Sequence, residues 1–234
     1  MNKELFIEEV RKLGIAVDED KLDKLERYYE LLIQWNEKMN LTAITKKEDV
    51  YLKHFYDSLT LIKAYDLNQN ISVCDVGTGA GFPGIVLKIF FDNIDITLVD
   101  ALNKRINFLN IVIKELKLEN IRAIHARVEE FAKETKEKFD LVTSRAVAKL
   151  NVLNELCIPM IKIDGYFIPM KANIEEEIEE SKNSIIKLNS ILENIISFNL
   201  PIENSIRNLI IIKKVNSTKE IYPRKFDKIK KQPL

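Results

Sequence analysis

An α/β fold, built on a mostly parallel sheet with helices on both faces and a helical extension ahead of it, is predicted by three observations in this 234-residue sequence. From Ile71 onward, short apolar runs alternate with helix-periodic runs, the pattern of strands joined by crossover helices. One such strand and helix, between Ile71 and Leu87, are joined through four closely spaced glycines, Gly77, Gly79, Gly81 and Gly84, a turn shaped to let a ligand approach the backbone. Before Asn70 the apolar residues recur only at helical spacing.

The elements follow in order. Leu5, Phe6, Val10 and Leu13 fall on one helix face, and Gly14 closes that helix. A longer helix spans Asp20 to Met39 with the stripe Leu22, Leu25, Tyr29, Leu32 and Trp35 or Asn36, and Trp35 is expected in the core. Thr45-Lys46-Lys47-Glu48 reads as a capping box that opens a third helix through Val50, His54 and Leu61. Strands are expected at Ile71 to Cys74, Ile94 to Val99, Ile121 to His125, Phe139 to Thr143 and Tyr166 to Met170. Ile195 to Leu200 and Leu209 to Val215 are expected as a closing antiparallel pair, which makes seven strands in all. Helices are expected at Gly84 to Phe90, Lys104 to Leu116, Val128 to Lys133, Lys149 to Met160 and Ile174 to Ser190. The chain thus divides into an extension (1–70), a sheet domain (71–215) and a basic tail (216–234).

Composition narrows the function classes. Lys plus Arg and Asp plus Glu balance at 36 each, so contact with nucleic acid must come from a local basic patch. Cys74 and Cys157 stand alone within apolar stretches, with neither metal-ligand spacing nor a disulfide framework, which fits a reduced, cytoplasmic setting. The first residues lack the basic flank and apolar core of a signal peptide, and no apolar run reaches membrane-spanning length.

The glycine turn admits two ligands. Gly79, Gly81 and Gly84 match the dinucleotide fingerprint, and Asp100 follows about 20 residues on, where a ribose-binding acid falls. Asp75 favours the other ligand: a carboxylate just before the glycines repels a pyrophosphate but stabilises the positive charges of S-adenosylmethionine. The stretch Asp75, Val76, Gly77, Thr78, Gly79, Ala80 and Gly81 is therefore read as a methyl-donor loop, against a nicotinamide-dependent oxidoreductase or a plain tight turn.

In open α/β sheets ligands sit outside the carboxyl ends of the strands. There, Asp100 is expected to meet ribose hydroxyls, or else to cap the helix near Lys104. The backbone at Val128 and the side chain of Glu129 are expected at an adenine edge, Glu129 being equally an ordinary helix-start acid. Ser144-Arg145-Ala146 stands at the substrate side, without the Pro-Pro-Tyr run of enzymes that methylate exocyclic amines and without a nucleophilic cysteine. The acceptor is then an atom already nucleophilic, such as guanine N7, for which proximity and alignment suffice and no catalytic base is assigned. Arg145 must hold phosphate, ribose or another base edge, because a guanidinium on O6 and N7 would mask the acceptor.

The tail from Lys213 to Lys231 holds eight Lys or Arg against Glu220 and Asp227, with Tyr222 and Phe226 between them. Tyr222, Arg224 and Lys225 are read as a grip on single-stranded RNA, the alternative being a solvated tail. His54, Asp57 and Ser58 share one helix, either as a buried hydrogen-bond cluster or as part of the substrate side.

Taken together, these motifs resemble the RsmG family, also called GidB, bacterial methyltransferases of guanine 527 N7 in 16S ribosomal RNA. The resemblance runs through Trp35-Asn36, Asn40-Leu41-Thr42, His54 with Asp57-Ser58-Leu59, Asp75 to Gly84, Lys104-Arg105 with Phe108-Leu109, Arg127 with Glu129, Ser144-Arg145-Ala146, Tyr222 to Lys225 and Pro233-Leu234. It implies the class I S-adenosylmethionine-dependent methyltransferase fold, Rossmann-like. It also implies donor contacts at Gly77, Phe82, Val128, Glu129 and Arg145, with Asp100 on the ribose. The implied partner is 16S rRNA or the small ribosomal subunit, met by a cytoplasmic monomer, and Lys171 is expected to meet RNA phosphate. One departure is Met170-Lys171-Ala172, where Leu-Lys-Gly is the family pattern. A donor-binding assembly factor without catalysis and a small-molecule methyltransferase are the remaining rivals.

Overall fold

The computed structural model describes residues 1–145 and 147–234, so Ala146 of the Ser144-Arg145-Ala146 run lies outside the described residues. Seven strands form one sheet in the order β3-β2-β1-β4-β5-β7-β6. They are β1 (Ser72–Val76), β2 (Asp95–Asp100), β3 (Ile121–His125), β4 (Phe139–Arg145), β5 (Ile161–Lys171), β6 (Ser190–Asn199) and β7 (Ile206–Lys214). All neighbouring pairs from β3 across to β5 are parallel, and β7 runs antiparallel between β5 and β6. The inner parallel strands β1, β2 and β4 are buried along most of their length because both their faces are covered, whereas β3 at the sheet edge is partly exposed. From β1 the chain steps one way to β2 and β3, then returns to the other side of β1 as β4. A crevice therefore opens beyond the carboxyl ends of β1 and β4, where the strand order reverses.

Helices α5 (Gly84–Phe90), α6 (Asn103–Glu115), α7 (Val128–Glu134), α8 (Leu150–Cys157) and α9 (Glu175–Lys187) fill the connections, and α10 (Phe226–Lys231) closes the chain. One apolar core lies between the sheet and the N-terminal helices. It joins Phe6 and Val10 of α1 (Lys3–Lys12) and Leu25 and Tyr28 of α2 (Glu19–Met39) to Ile96, Leu98 and Phe108. A second core on the opposite face gathers Val142, Leu153, Leu156 and Phe167 with Tyr222 and Ile229 of the tail. Each large apolar side chain so buried contributes about 1.5–3 kcal/mol.

Three local expectations need correcting. On α2 the buried stripe passes through Tyr28, while Tyr29 is only half-buried, because Leu25, Tyr28 and Leu32 keep the three-and-four spacing that faces the sheet. The capping box does not form: α3 (Lys47–Val50) is preceded by Lys46 at the cap position with no side-chain bond, and Thr45 lies one residue too early. The third helix is also not uniform. From α3 it passes into a π-helical stretch (Tyr51–Tyr56), a single α turn, α4 (Asp57–Leu59), and a 3-10 turn (Thr60–Lys63). Trp35 is half-buried, packing on Phe108 at 6.3 Å between ring centroids.

Candidate active site at the carboxyl ends of β1, β2 and β4

Asp75 is the next-to-last residue of β1, beneath the glycine turn, and is fully buried. One carboxylate oxygen accepts from the Thr78 hydroxyl at 2.7 Å and from the Gly84 N–H at 2.9 Å, so this side chain ties both ends of the turn to the strand. Its other oxygen, Oδ1, is buried with no partner among the described residues. Burial pushes the Asp75 carboxyl up to about 6, against the downward pull of Thr78 and Gly84. The carboxylate is thus first a brace for the loop, a role the repulsion argument did not foresee. Its orphaned oxygen is the part left to meet a positively charged ligand.

Two glycines are required by the packing. Gly81 has φ near +103°, and a Cβ there would stand 2.6 Å from the Tyr28 hydroxyl. At Gly84 a Cβ would run into Leu98 and meet the Asp75 carboxylate at 3.0 Å. Tyr28 reaches the loop from the extension, its hydroxyl donating to the Ala80 carbonyl at 2.5 Å. Sequence reasoning missed Tyr28 in this role, although it falls three residues after the core residue Leu25.

Asp100 ends β2, and its carboxylate is already well held. It accepts from the N–H groups of Gly79 at 3.0 Å and Leu102 at 2.9 Å and from Arg105 Nη1 at 3.0 Å. A carboxylate offers about four acceptor positions, so one remains for an incoming hydroxyl. Val128 and Glu129 open α7 just beyond β3, both half-buried, and the Ala126 N–H bonds the Asp100 carbonyl at 3.2 Å, bringing the ends of β2 and β3 together. Gly77 and Thr78 both donate to the Val99 carbonyl, at 2.8 and 3.2 Å. The ends of β1, β2 and β3, with Asp75, Gly77, Asp100 and the start of α7 at Val128, therefore lie side by side. The orphaned Asp75 oxygen and the buried Ser144 hydroxyl, likewise without a partner among the described residues, are the kind of polar groups a bound amino-acid head would satisfy.

Arg145 closes β4 and gathers the π-helical stretch around itself. Nη1 donates to the Lys53 carbonyl at 2.9 Å and to Asp57 Oδ2 at 3.2 Å, while Nη2 lies 3.0 Å from His54 Nδ1. Its guanidinium stands 5.2 Å from the centre of the Phe82 ring, on which the His54 ring also stacks at 4.4 Å. Burial, aided by the Arg145 charge, holds the His54 imidazole down at about 3, so the ring is neutral. Arginine can only donate, so Nδ1 accepts, and Nε2 carries the proton toward Thr42 Oγ1 at 2.9 Å. The cluster of His54, Asp57 and Ser58 is accordingly both buried and part of the site: His54 and Asp57 hold Arg145, and Ser58 donates back to the His54 carbonyl at 2.6 Å.

Beside Arg145 lies a cavity of about 470 Å³ lined by His54, Asp57, Arg145, Lys171, Glu177 and Arg207, among others. Lys171 Nζ is paired with Glu177 Oε2 at 2.6 Å and with the Ala148 carbonyl at 2.8 Å. Every charged side chain just named in the lining has a hydrogen-bonding partner of opposite charge. Among the described residues no three His, Cys, Asp or Glu side chains cluster as a metal site, and no helix is long and apolar enough to cross a membrane.

The tail corrects the sequence reading. Arg224 does not project toward solvent: its backbone N–H and Nε bond Glu155 Oε1 at 2.9 and 2.8 Å, and Nη2 bonds Oε2 at 2.6 Å. Glu155 is fully buried on α8, so the guanidinium compensates a charge that has left water. Tyr222 is buried in the second core, and of the three grip residues only Lys225 is exposed. Tyr222 and Arg224 thus anchor the tail, and ring and charge are not presented together to an RNA strand.

The chain is 48% identical, over 100% of both chains, to ribosomal RNA small subunit methyltransferase G of Lysinibacillus sphaericus. It is also 48% identical to the protein of that name from Bacillus subtilis, over 100% of this chain and 99% of the relative. In fold it is similar to a SAM-dependent methyltransferase from Aquifex aeolicus, with a TM-score of 0.57 and 14% identity over 75% of this chain and 97% of the other. Residues 21–217 match the family model described as GidB, rRNA small subunit methyltransferase G, and the chain belongs to that family.

Proposed function

We propose that this chain transfers a methyl group from S-adenosylmethionine to N7 of a guanine in 16S rRNA, the position implied being guanine 527. The observation that carries the choice of acceptor is that the cavity beside Arg145 offers no free base among the described residues. His54 is neutral with both ring nitrogens engaged, Asp57 holds two guanidiniums, and Glu177 is paired with Lys171. Cys157 sits buried with its thiol pushed far up by desolvation. A nitrogen that must lose a proton would have nothing here to take it. Guanine N7 brings a free lone pair and needs only to be aligned.

In this reading the methyl donor supplies an electrophilic carbon on a sulfonium. Transfer breaks the carbon–sulfur bond with its electron pair left on sulfur and places a positive charge on the guanine ring, with no proton lost from N7. The chain's own residues bind and orient. Asp75 Oδ1 and Ser144 face the amino-acid head, Asp100 takes a ribose hydroxyl, Val128 and Glu129 meet the adenine, and Phe82 with Gly77 borders the reacting end. Arg145, held rigid by His54, Asp57 and the Lys53 carbonyl, steadies the nucleotide by an edge other than O6 and N7, and Lys171 meets phosphate. The base enters unstacked, since the acceptor must reach the crevice. The substrate is an rRNA or small-subunit particle, approached by a cytoplasmic monomer.

The test is chemical mapping of 7-methylguanine in small-subunit rRNA from cells with and without the gene, followed by restoration with purified chain and labelled S-adenosylmethionine. One guanine should lose and regain the modification. Label on another atom, or none at all, would sink the reading.

A further inference from the structure

The cavity beside Arg145 holds a second guanidinium that methyl transfer, as described, leaves without a task. Because β7 is antiparallel, its first residues lie at the edge where the parallel strands end, and Arg207 is thereby brought opposite the π-helical stretch. Arg207 Nε donates to Asp57 Oδ1 at 3.1 Å and Nη1 to the Ile206 carbonyl at 2.9 Å, while Nη2 has no hydrogen-bond partner among the described residues. Asp57, itself buried, takes Arg145 on its other oxygen. One carboxylate therefore aims two guanidiniums and neutralises only one of them.

The rest of the lining does not absorb the surplus. Lys171 is matched by Glu177 and His54 is neutral, so three cations face two carboxylates around the cavity. Arg207 lines the cavity with its side chain still partly exposed, so a pinned guanidinium with an unbonded Nη2 stands where an anion can enter. The planar fork of arginine matches two oxygens of a phosphate.

We propose that Arg207 binds a phosphodiester of the RNA strand entering this cavity, with Asp57 as the positioning residue that fixes it relative to Arg145. The inference rests on the reading that RNA is the substrate. It gives Asp57 a reason to bridge: phosphate at Arg207 and base near Arg145 are set at a fixed separation by one side chain.

The experiment measures binding of the full chain to unmodified small-subunit rRNA, saturated with S-adenosylhomocysteine, across a salt series. Each phosphate contact contributes about 0.7 to 0.9 to the slope of log affinity against log salt. Arg207→Gln, which keeps a donor for Asp57, should flatten the slope by about that amount with affinity for S-adenosylhomocysteine unchanged by calorimetry. Arg207→Lys keeps the charge without the fork, and should keep the slope while binding more weakly. A Gln variant with the wild-type slope, or a Lys variant as flat as Gln, overturns the proposal. Wild-type chain that binds no rRNA at all would fail the parent reading instead.

Discussion

His54 and Asp75 are buried titratable groups whose protons are displaced in opposite directions, so the site carries its own pH signature. For His54 the folded value falls to about 3 from an ordinary 6.5, through burial first and the Arg145 charge second. The unfolded chain then holds the extra proton between those values, and stability present above about pH 6.5 is lost as pH falls toward 3. For Asp75 burial raises the folded value from 3.8 to about 6. Here the folded chain holds the extra proton, and stability present below 3.8 is lost as pH rises through 6. Between about pH 4 and 6 the two slopes oppose one another. Thermal unfolding across this range should therefore find His54→Asn less acid-sensitive than wild type and Asp75→Asn more so; the reverse order would contradict the assignment. At Asp100 the prediction concerns binding. Asp100→Ala removes the acceptor of Gly79, Leu102 and Arg105 as well as the proposed ribose contact. With charge-assisted bonds at about 1.5–3 kcal/mol, donor affinity should fall by about ten- to a hundredfold in calorimetry. Affinity within twofold of wild type would remove Asp100 from the donor site. Both acids were legible from sequence, Asp75 because it stands just before the glycines and Asp100 because it closes the next strand about 20 residues on. Arg207 was not, since only the antiparallel return of β7 brings it to that edge.

At the scale of elements, the tail is the instructive case. Its composition, basic with interleaved rings, is equally that of an RNA grip and of an anchored strap. The deciding residue, Glu155, lies some seventy positions away in sequence. A lone acid in the apolar run of α8 was the available signal, and without a partner in view it reads as an ordinary helix residue. The structure makes a different prediction from the one composition suggests. Arg224→Ala leaves Glu155 buried and unpaired, which costs about 3–5 kcal/mol, so the variant should melt well below wild type even with no RNA present. An unchanged melting temperature accompanied by weaker RNA binding would restore the grip. For the same reason, cutting the chain after Val215 does not isolate an RNA-binding function, because it also strips Tyr222 and Ile229 from the second core. The third helix went partly unread on similar grounds. Its π-helical stretch has no local sequence marker, and together with the α turn that follows it sets the Lys53 carbonyl, His54 and Asp57 around a residue of β4 roughly ninety positions later.

For the molecule as a whole, strand number, order of elements and the closing antiparallel pair could be read from periodicity, because alternation and burial on two faces leave their mark on every strand. Interdependence of the parts could not. The change from helical spacing to alternating strand and helix runs suggested a boundary near Asn70, yet Phe6, Val10, Leu25 and Tyr28 share one core with Ile96, Leu98 and Phe108, and Tyr28 bonds the glycine loop. If the extension were a separable cover, a chain beginning at Asn70 would fold and bind donor alone. If it completes the core, removal bares one face of the central sheet and frees the Ala80 carbonyl, a loss far larger than the total stability of about 5–15 kcal/mol that a domain possesses. The second outcome is expected: a chain lacking residues 1–69 should aggregate or lack a cooperative thermal transition, and it should not bind S-adenosylmethionine measurably. A truncated chain that melts sharply within a few degrees of full length, with donor affinity intact, would mean that the extension serves the RNA alone and that the glycine loop holds its shape without Tyr28.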